Sequence, residues 1–282
     1  MWAVARSISR SLKERLHLQK GQLDGHVLAA FEHACDLVTR DGDLVALVSP
    51  RIGDGPLNIV VDAAEIFTRV APGTPVTQEG KRLWVGELEI DLGRAAVWEP
   101  RPDWETLRAR RAATASYLPR LRALCLRHVP ASSLLALLET PSAVLPRVQD
   151  AAKALREGWA GDLERLREGA IGLAGLGSGL TPAGDDFLTG VMVWAWLAHP
   201  TPALFCRALV EAAVPCTTTL SAAFLRAAGR GECSASWHIL LAALSEGQEA
   251  KFTAAAQKIL THGATSGADS LTGFLYPSLW ER

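Results

Sequence analysis

The residues with the densest chemical potential form one stretch, Gly169-Ala-Ile-Gly-Leu-Ala-Gly-Leu-Gly-Ser-Gly-Leu-Thr-Pro-Ala-Gly-Asp-Asp-Phe-Leu-Thr-Gly190. Six of the chain's 24 glycines fall between Gly169 and Gly184. Glycines at this density let the backbone approach something closely, either a ligand or another helix. Gly177, Ser178 and Gly179 can turn sharply and expose backbone N–H groups. Thr181-Pro182 reads as an N-cap followed by proline at the first helical position. Asp185 and Asp186 then fall in the first turn of a helix running to about Ala198. A helix start of this kind carries partial positive charge and free N–H groups, which suit an anion.

Two familiar phosphate loops are excluded. The dinucleotide fingerprint G-x-G-x-x-G fails, because its third glycine falls on Leu180 or Pro182. The P-loop spacing is met by Gly179 and Gly184, but Asp185 and Asp186 stand where lysine and a hydroxyl residue are required. Two carboxylates there repel a bare phosphate. A Mg²⁺ ion, if one is used, would take Asp185 and Asp186 as ligands.

The pattern G-x-D-x-L-T-G at Gly184–Gly190 returns at Gly267–Gly273. Both copies predict a Gly/Thr loop, an acidic first helical turn and a glycine four residues after the aspartate that lets two helices cross closely. Ser266 and Asp269 have capping-box spacing. The two helix starts are expected to face each other across one pocket. Asp185, Asp186 and Asp269 are the catalytic candidates. Gly177, Ser178, Gly179, Thr181, Gly184, Thr218, Ser221, His262, Thr265, Ser266 and Gly267 are the candidates for binding a small anion, a carboxylate or a phosphate. Alternatively, both loops only pack helices. Thr218 and Ser221 either cap a helix or touch ligand. His262 either caps a helix C-terminus or serves as acid/base.

Other chemistries find no support. The histidines show no H-x-x-H spacing, so zinc is unsupported, and no G-x-S-x-G elbow exists. The five cysteines form no C-x-x-C pair, and buried reduced thiols fit a cytoplasmic protein. The start has no apolar signal core. The uncharged run from Phe187 to Cys206 becomes non-apolar near Ala198, short of the ~20 residues of a spanning helix, and reads as a helix buried on all sides. Lysine plus arginine number 29 and aspartate plus glutamate 30, a net charge of −1 that argues against nucleic acid as a partner.

The elements that must position these residues divide the chain. Residues 1–102 look strand-rich, with candidate strands at His26–Phe31, Asp43–Ser49, Leu57–Val61, Arg82–Leu92 and Ala95–Trp98. Residues 103–282 look helical, and only 12 of the 45 alanines fall in the first 110 residues, as helix propensity requires. Helices are expected at Ser132–Glu139, Ser142–Glu157 and Gly161–Glu168, with four or five more after the glycine-rich stretch. Pro119 is expected to kink or restart an earlier helix. The expected fold class is α+β: a small antiparallel β-rich N-terminal part and a mainly α-helical C-terminal part.

The stretch Gly175–Gly190 resembles the signature of the AllH-like proteins, formerly a domain of unknown function. His262–Asp269 is similar to the family's second motif, and Thr218–Ser221 to a third patch between them. Ser178 replaces a usual proline, and Ala264 a frequent histidine. The resemblance implies a subunit of oxamate carbamoyltransferase, acting with two partner subunits in purine-derived allantoin breakdown. It further implies carbamoyl transfer between oxalurate and phosphate. No Ser-x-Arg-Thr-Arg phosphate motif of ordinary transcarbamoylases is present. Two other classes stand beside this one: a non-catalytic subunit that binds an anion or acyl-CoA, and a Mg²⁺-dependent hydrolase or kinase-like enzyme.

Overall fold

A computed structural model describes residues 1–18, 23–62, 67, 69–127, 133–139 and 145–280. It contains two compact units, Met1–Pro100 and Arg101–Arg282.

The first unit is a sheet closed into a barrel. Its elements are β1 (Trp2–Ser9), α1 (Arg10–Leu18), β2 (Asp24–Ala30), β3 (Ala34–Thr39), β4 (Leu44–Val48), β5 (Asn58–Val61), β6 (Pro75–Glu79), β7 (Arg82–Val85), β8 (Leu88–Asp91) and β9 (Ala96–Trp98). The strand order is β5-β4-β3-β2-β6-β7-β8-β1-β9, and a further β5–β1 pairing closes the ring, with β9 paired, among the described residues, to β1 alone. Closure hides the edges that an open sheet would leave free. One half of β1 runs parallel to β8 and the other half parallel to β9, while β5 lies antiparallel on its other side. Alternating residues such as Leu37, Leu47, Ile59, Val76, Leu83 and Ile90 fill the interior.

The strands expected from apolar runs are present. Arg82–Leu92 is not one strand but the hairpin β7–β8, turned at Gly86, whose φ is +57°. β1, β3 and β6 were not foreseen. β6 reads Pro-Val-Thr-Gln-Glu and buries only alternate positions, so its composition hides its pairing.

The second unit is helical: α2 (Trp104–Ala109), α3 (Arg111–Leu126), α4 (Ala136–Glu139), α5 (Pro146–Trp159), α6 (Leu163–Leu173), α7 (Ala183–Ala198), α8 (Pro202–Ala213), α9 (Thr219–Gly229), α10 (Ala235–Glu246), α11 (Glu249–Leu260) and α12 (Ser266–Leu275). The class is α+β, as the residue patterns require. Pro119 lies inside an uninterrupted α3. The expected helix starts at Ser132 and Ser142 lie outside the described residues. α7 begins inside the glycine-rich stretch and five further helices, α8–α12, follow it, at the upper end of the expectation. Pro202 opens α8, Pro215 sits in a 3-10 turn, and Thr218 caps α9, so one proline-broken stretch yields two helices.

α7 and α12 form the centre. α7 is buried continuously from Gly190 to Ala198, and α12 from Gly267 to Leu275. Around their crossing, Phe274 is flanked by Trp194 and Trp237 with ring centroids 5.3 and 5.2 Å away. A second aromatic cluster joins Trp159, His199, Phe205 and Trp280. Among the described residues, no helix is long and apolar enough to cross a membrane.

Candidate functional site

The repeated motif builds the helix crossing. A Cβ at Gly190 would fall well inside contact distance of the Ser270 carbonyl oxygen, and one at Gly273 would do the same to the Phe187 carbonyl. Phe187 and Ser270 occupy the fourth position of their respective motif copies. The crossing is therefore reciprocal, and the glycine after each aspartate serves as expected. The first glycines are packing positions too. Gly184 lies against the Leu173 carbonyl at the end of α6, and Gly267 against the Ile259 carbonyl near the end of α11. Their N–H groups are engaged, by Leu176 at 2.9 Å and by His262 at 3.0 Å.

The helix starts differ from the expected caps. Pro182, not Thr181, is the N-cap of α7, with no side-chain cap. Its carbonyl receives the N–H groups of Asp185 and Asp186 at 3.0 and 3.2 Å. This frees the Thr181 hydroxyl, which meets the Ser266 hydroxyl at 3.1 Å. Ser266 likewise makes no capping box, because Thr265 is the N-cap of α12. Asp269 turns inward instead. Its Oδ1 accepts the Leu134 N–H at 2.6 Å, and the Thr265 hydroxyl also bonds its carboxyl. Leu134 belongs to a remote segment with no motif, so nothing in the sequence signalled this partner.

The three carboxylates divide by use. Asp185 is 2% exposed and fully engaged. Its Oδ1 accepts the Gly175 N–H at 3.1 Å, and its Oδ2 accepts the Thr217 hydroxyl. It ties the glycine turn to the start of α9. The same start grips the loop again, as Thr218 and Ser221 both donate to the Leu180 carbonyl, at 2.6 and 3.4 Å. Thr218 also caps α9 by accepting the Ser221 N–H at 3.1 Å. Capping and loop anchoring are thus performed by the same hydroxyls.

Asp186 and Asp269 are the incompletely used pair. Each has a buried Oδ2 with no hydrogen-bond partner. Ser266 bonds the Asp186 carboxyl, but burial and then the nearby charges of Asp269 and Asp185 push it up to about 8. Burial pushes Asp269 to about 6, against the lowering bonds from Leu134 and Thr265. Burial also raises Asp185, though hydrogen bonds from Thr217, Gly175 and Ser221 oppose the shift.

The outer loop is open. Gly177, Ser178, Gly179 and Leu180 are exposed, with φ of +122° at Gly177 and +94° at Gly179. Among the described residues, none of their N–H groups meets a partner. His262 is exposed at the end of α11, and its described contacts run through its backbone rather than to the acidic pair. No group of three or more His, Cys, Asp or Glu side chains among the described residues could hold a metal ion. Both oxygens of Asp185 already accept hydrogen bonds.

Two family models match the chain. One, described as oxamate carbamoyltransferase subunit AllH, spans residues 173–277 and so contains the whole crossing. The other, described as the AllH family N-terminal domain, spans residues 4–97. No curated protein and no solved structure matches.

Proposed function

The chain belongs to the AllH family, and from that premise we propose that it acts, with partner subunits, in carbamoyl transfer between oxalurate and phosphate during purine-derived nitrogen catabolism. The observation that carries this reading is the open loop. Ser178, Gly179 and Leu180 present unengaged N–H groups beside the start of a 16-residue helix, a place for the carboxylate of oxalurate or oxamate. Gly184 and Gly267 hold the helices together in this reading and bind nothing. Asp185, Thr218 and Ser221 position the loop.

The reaction balances without an added oxidant or reductant. A phosphate oxygen forms a bond to the carbamoyl carbon. The bond from that carbon to the oxamate nitrogen breaks, and the proton of hydrogen phosphate ends on that nitrogen. Asp186 is the acid that serves this transfer: it hands its proton to the carbonyl oxygen of the leaving amide as the C–N bond breaks and regains one from hydrogen phosphate, and the imidic acid so formed becomes oxamate when its proton shifts from oxygen to nitrogen. Held near 8 by burial and by two neighbouring carboxylates, it keeps a proton at neutral pH and can pass it on, as efficient acid catalysis requires.

Reconstitution tests the proposal. Partner subunits plus this chain should convert oxalurate and phosphate to oxamate and carbamoyl phosphate. Turnover should vanish when this chain is left out. Undiminished turnover without it would overturn the assignment.

A further inference from the structure

We propose that Asp186 and Asp269 read an amide group as a donor–acceptor pair, Asp186 donating to the carbonyl oxygen and Asp269 accepting an N–H. This deepens the carbamoyl reading above and rests on it. The carrying observation is geometric. Asp269 is 0% exposed, and its Oδ2 has no partner; the Oδ2 of Asp186 is likewise buried and unmatched. A buried, unmatched polar atom is costly, and such atoms in folded proteins are rarely left without a role. Here two of them arise at equivalent positions of the repeated motif, one from each crossing helix.

The roles divide by environment. Two neighbouring buried carboxylates cannot both ionise cheaply without a cation. Asp269 receives the Leu134 N–H and the Thr265 hydroxyl, and both favour its charged form. Asp186 receives only Ser266 and faces two like charges, Asp269 and Asp185. The proton therefore belongs on Asp186. One acid and one carboxylate present a donor beside an acceptor, the complement of the C=O and N–H edge of a primary amide. A cation is the poorer occupant, because both residues lie in first helical turns, where the helix ends disfavour positive charge.

Oxamate and oxalate separate the possibilities, since they differ only in an amide replacing a carboxylate. Calorimetry on the full wild-type chain should find oxamate at least tenfold tighter than oxalate. Asp186→Asn keeps a donor at that place and should retain the preference. Asp269→Asn removes the charged acceptor and should reduce the preference at least tenfold, with a melting temperature no lower than wild type. Equal affinity of the wild type for both acids, or an unchanged preference in Asp269→Asn, would overturn the amide pair and leave the loop's anion site standing. Failure of the wild type to bind either acid would overturn the anion site and the pair together. The wild-type comparison decides even if a variant fails to fold.

Discussion

Gly190 of α7 packs directly on the backbone carbonyl of Ser270 in α12, with no room for a Cβ between them. The reciprocal contact of Gly273 on the Phe187 carbonyl makes the crossing symmetric in sequence terms. An alanine at 190 would gain about 1 kcal/mol of helix propensity. The opposing atom is backbone in a close-packed core, so overpacking outweighs that gain. Gly190→Ala should lose about 2 kcal/mol of stability, within the usual range for such changes. Urea unfolding measures it, and a neutral or stabilising result would show that the helices can separate freely.

Stability should fall as pH rises. The carboxyls of Asp186 and Asp269 bind protons more tightly in the folded state than in the unfolded one. Between about pH 4 and the folded values, about 8 for Asp186 and about 6 for Asp269, the native state holds the extra protons. Raising pH through that window removes their stabilisation, at about 1.4 kcal/mol per pH unit for each group. The groups acting on Asp186 are Ser266, Asp269 and Asp185. Denaturation from pH 5 to 8 should show this slope in the wild type and a shallower one in Asp186→Asn.

Asp185 should prove to be a positioning residue. Replacing it with alanine releases the Gly175 N–H and the Thr217 hydroxyl together. Hydrogen exchange at the Gly175 amide should accelerate at least tenfold, since a bond to a charged acceptor is worth about 1.5–3 kcal/mol. Unchanged exchange would mean that the glycine turn is held by its own backbone conformation.

Thr181 and Ser266 should be coupled. Their hydroxyls meet at 3.1 Å across 85 residues of sequence. A double-mutant cycle with Thr181→Val and Ser266→Ala should give a coupling of about 1 kcal/mol. Zero coupling would show that the two loops are held by the helix crossing alone.

Much of this architecture was legible because it rests on local chemistry. The repeat Gly184–Gly190 and Gly267–Gly273 foretold a close crossing, since glycine one turn after an aspartate has few other uses on a buried helix. The buried α7 was visible in its unbroken apolar run. The caps depart from their local pattern: Thr181 and Ser266 have the right spacing, but a mutual contact between distant loops wins over local capping. The Leu134 partner of Asp269 was invisible for the same reason, because a backbone N–H carries no residue signature. β1, β3 and β6 escaped because a closed barrel is specified by long-range pairing, and β6 is polar at three of its five positions.

Turnover by a complex containing the Asp186→Asn chain tests the central claim most directly. The side chain keeps its shape and a donor but cannot pass a proton. The account predicts a fall in kcat of at least a hundredfold, in line with the loss of a positioned acid, from a folded chain that still binds oxamate. Wild-type turnover by that folded variant would contradict it.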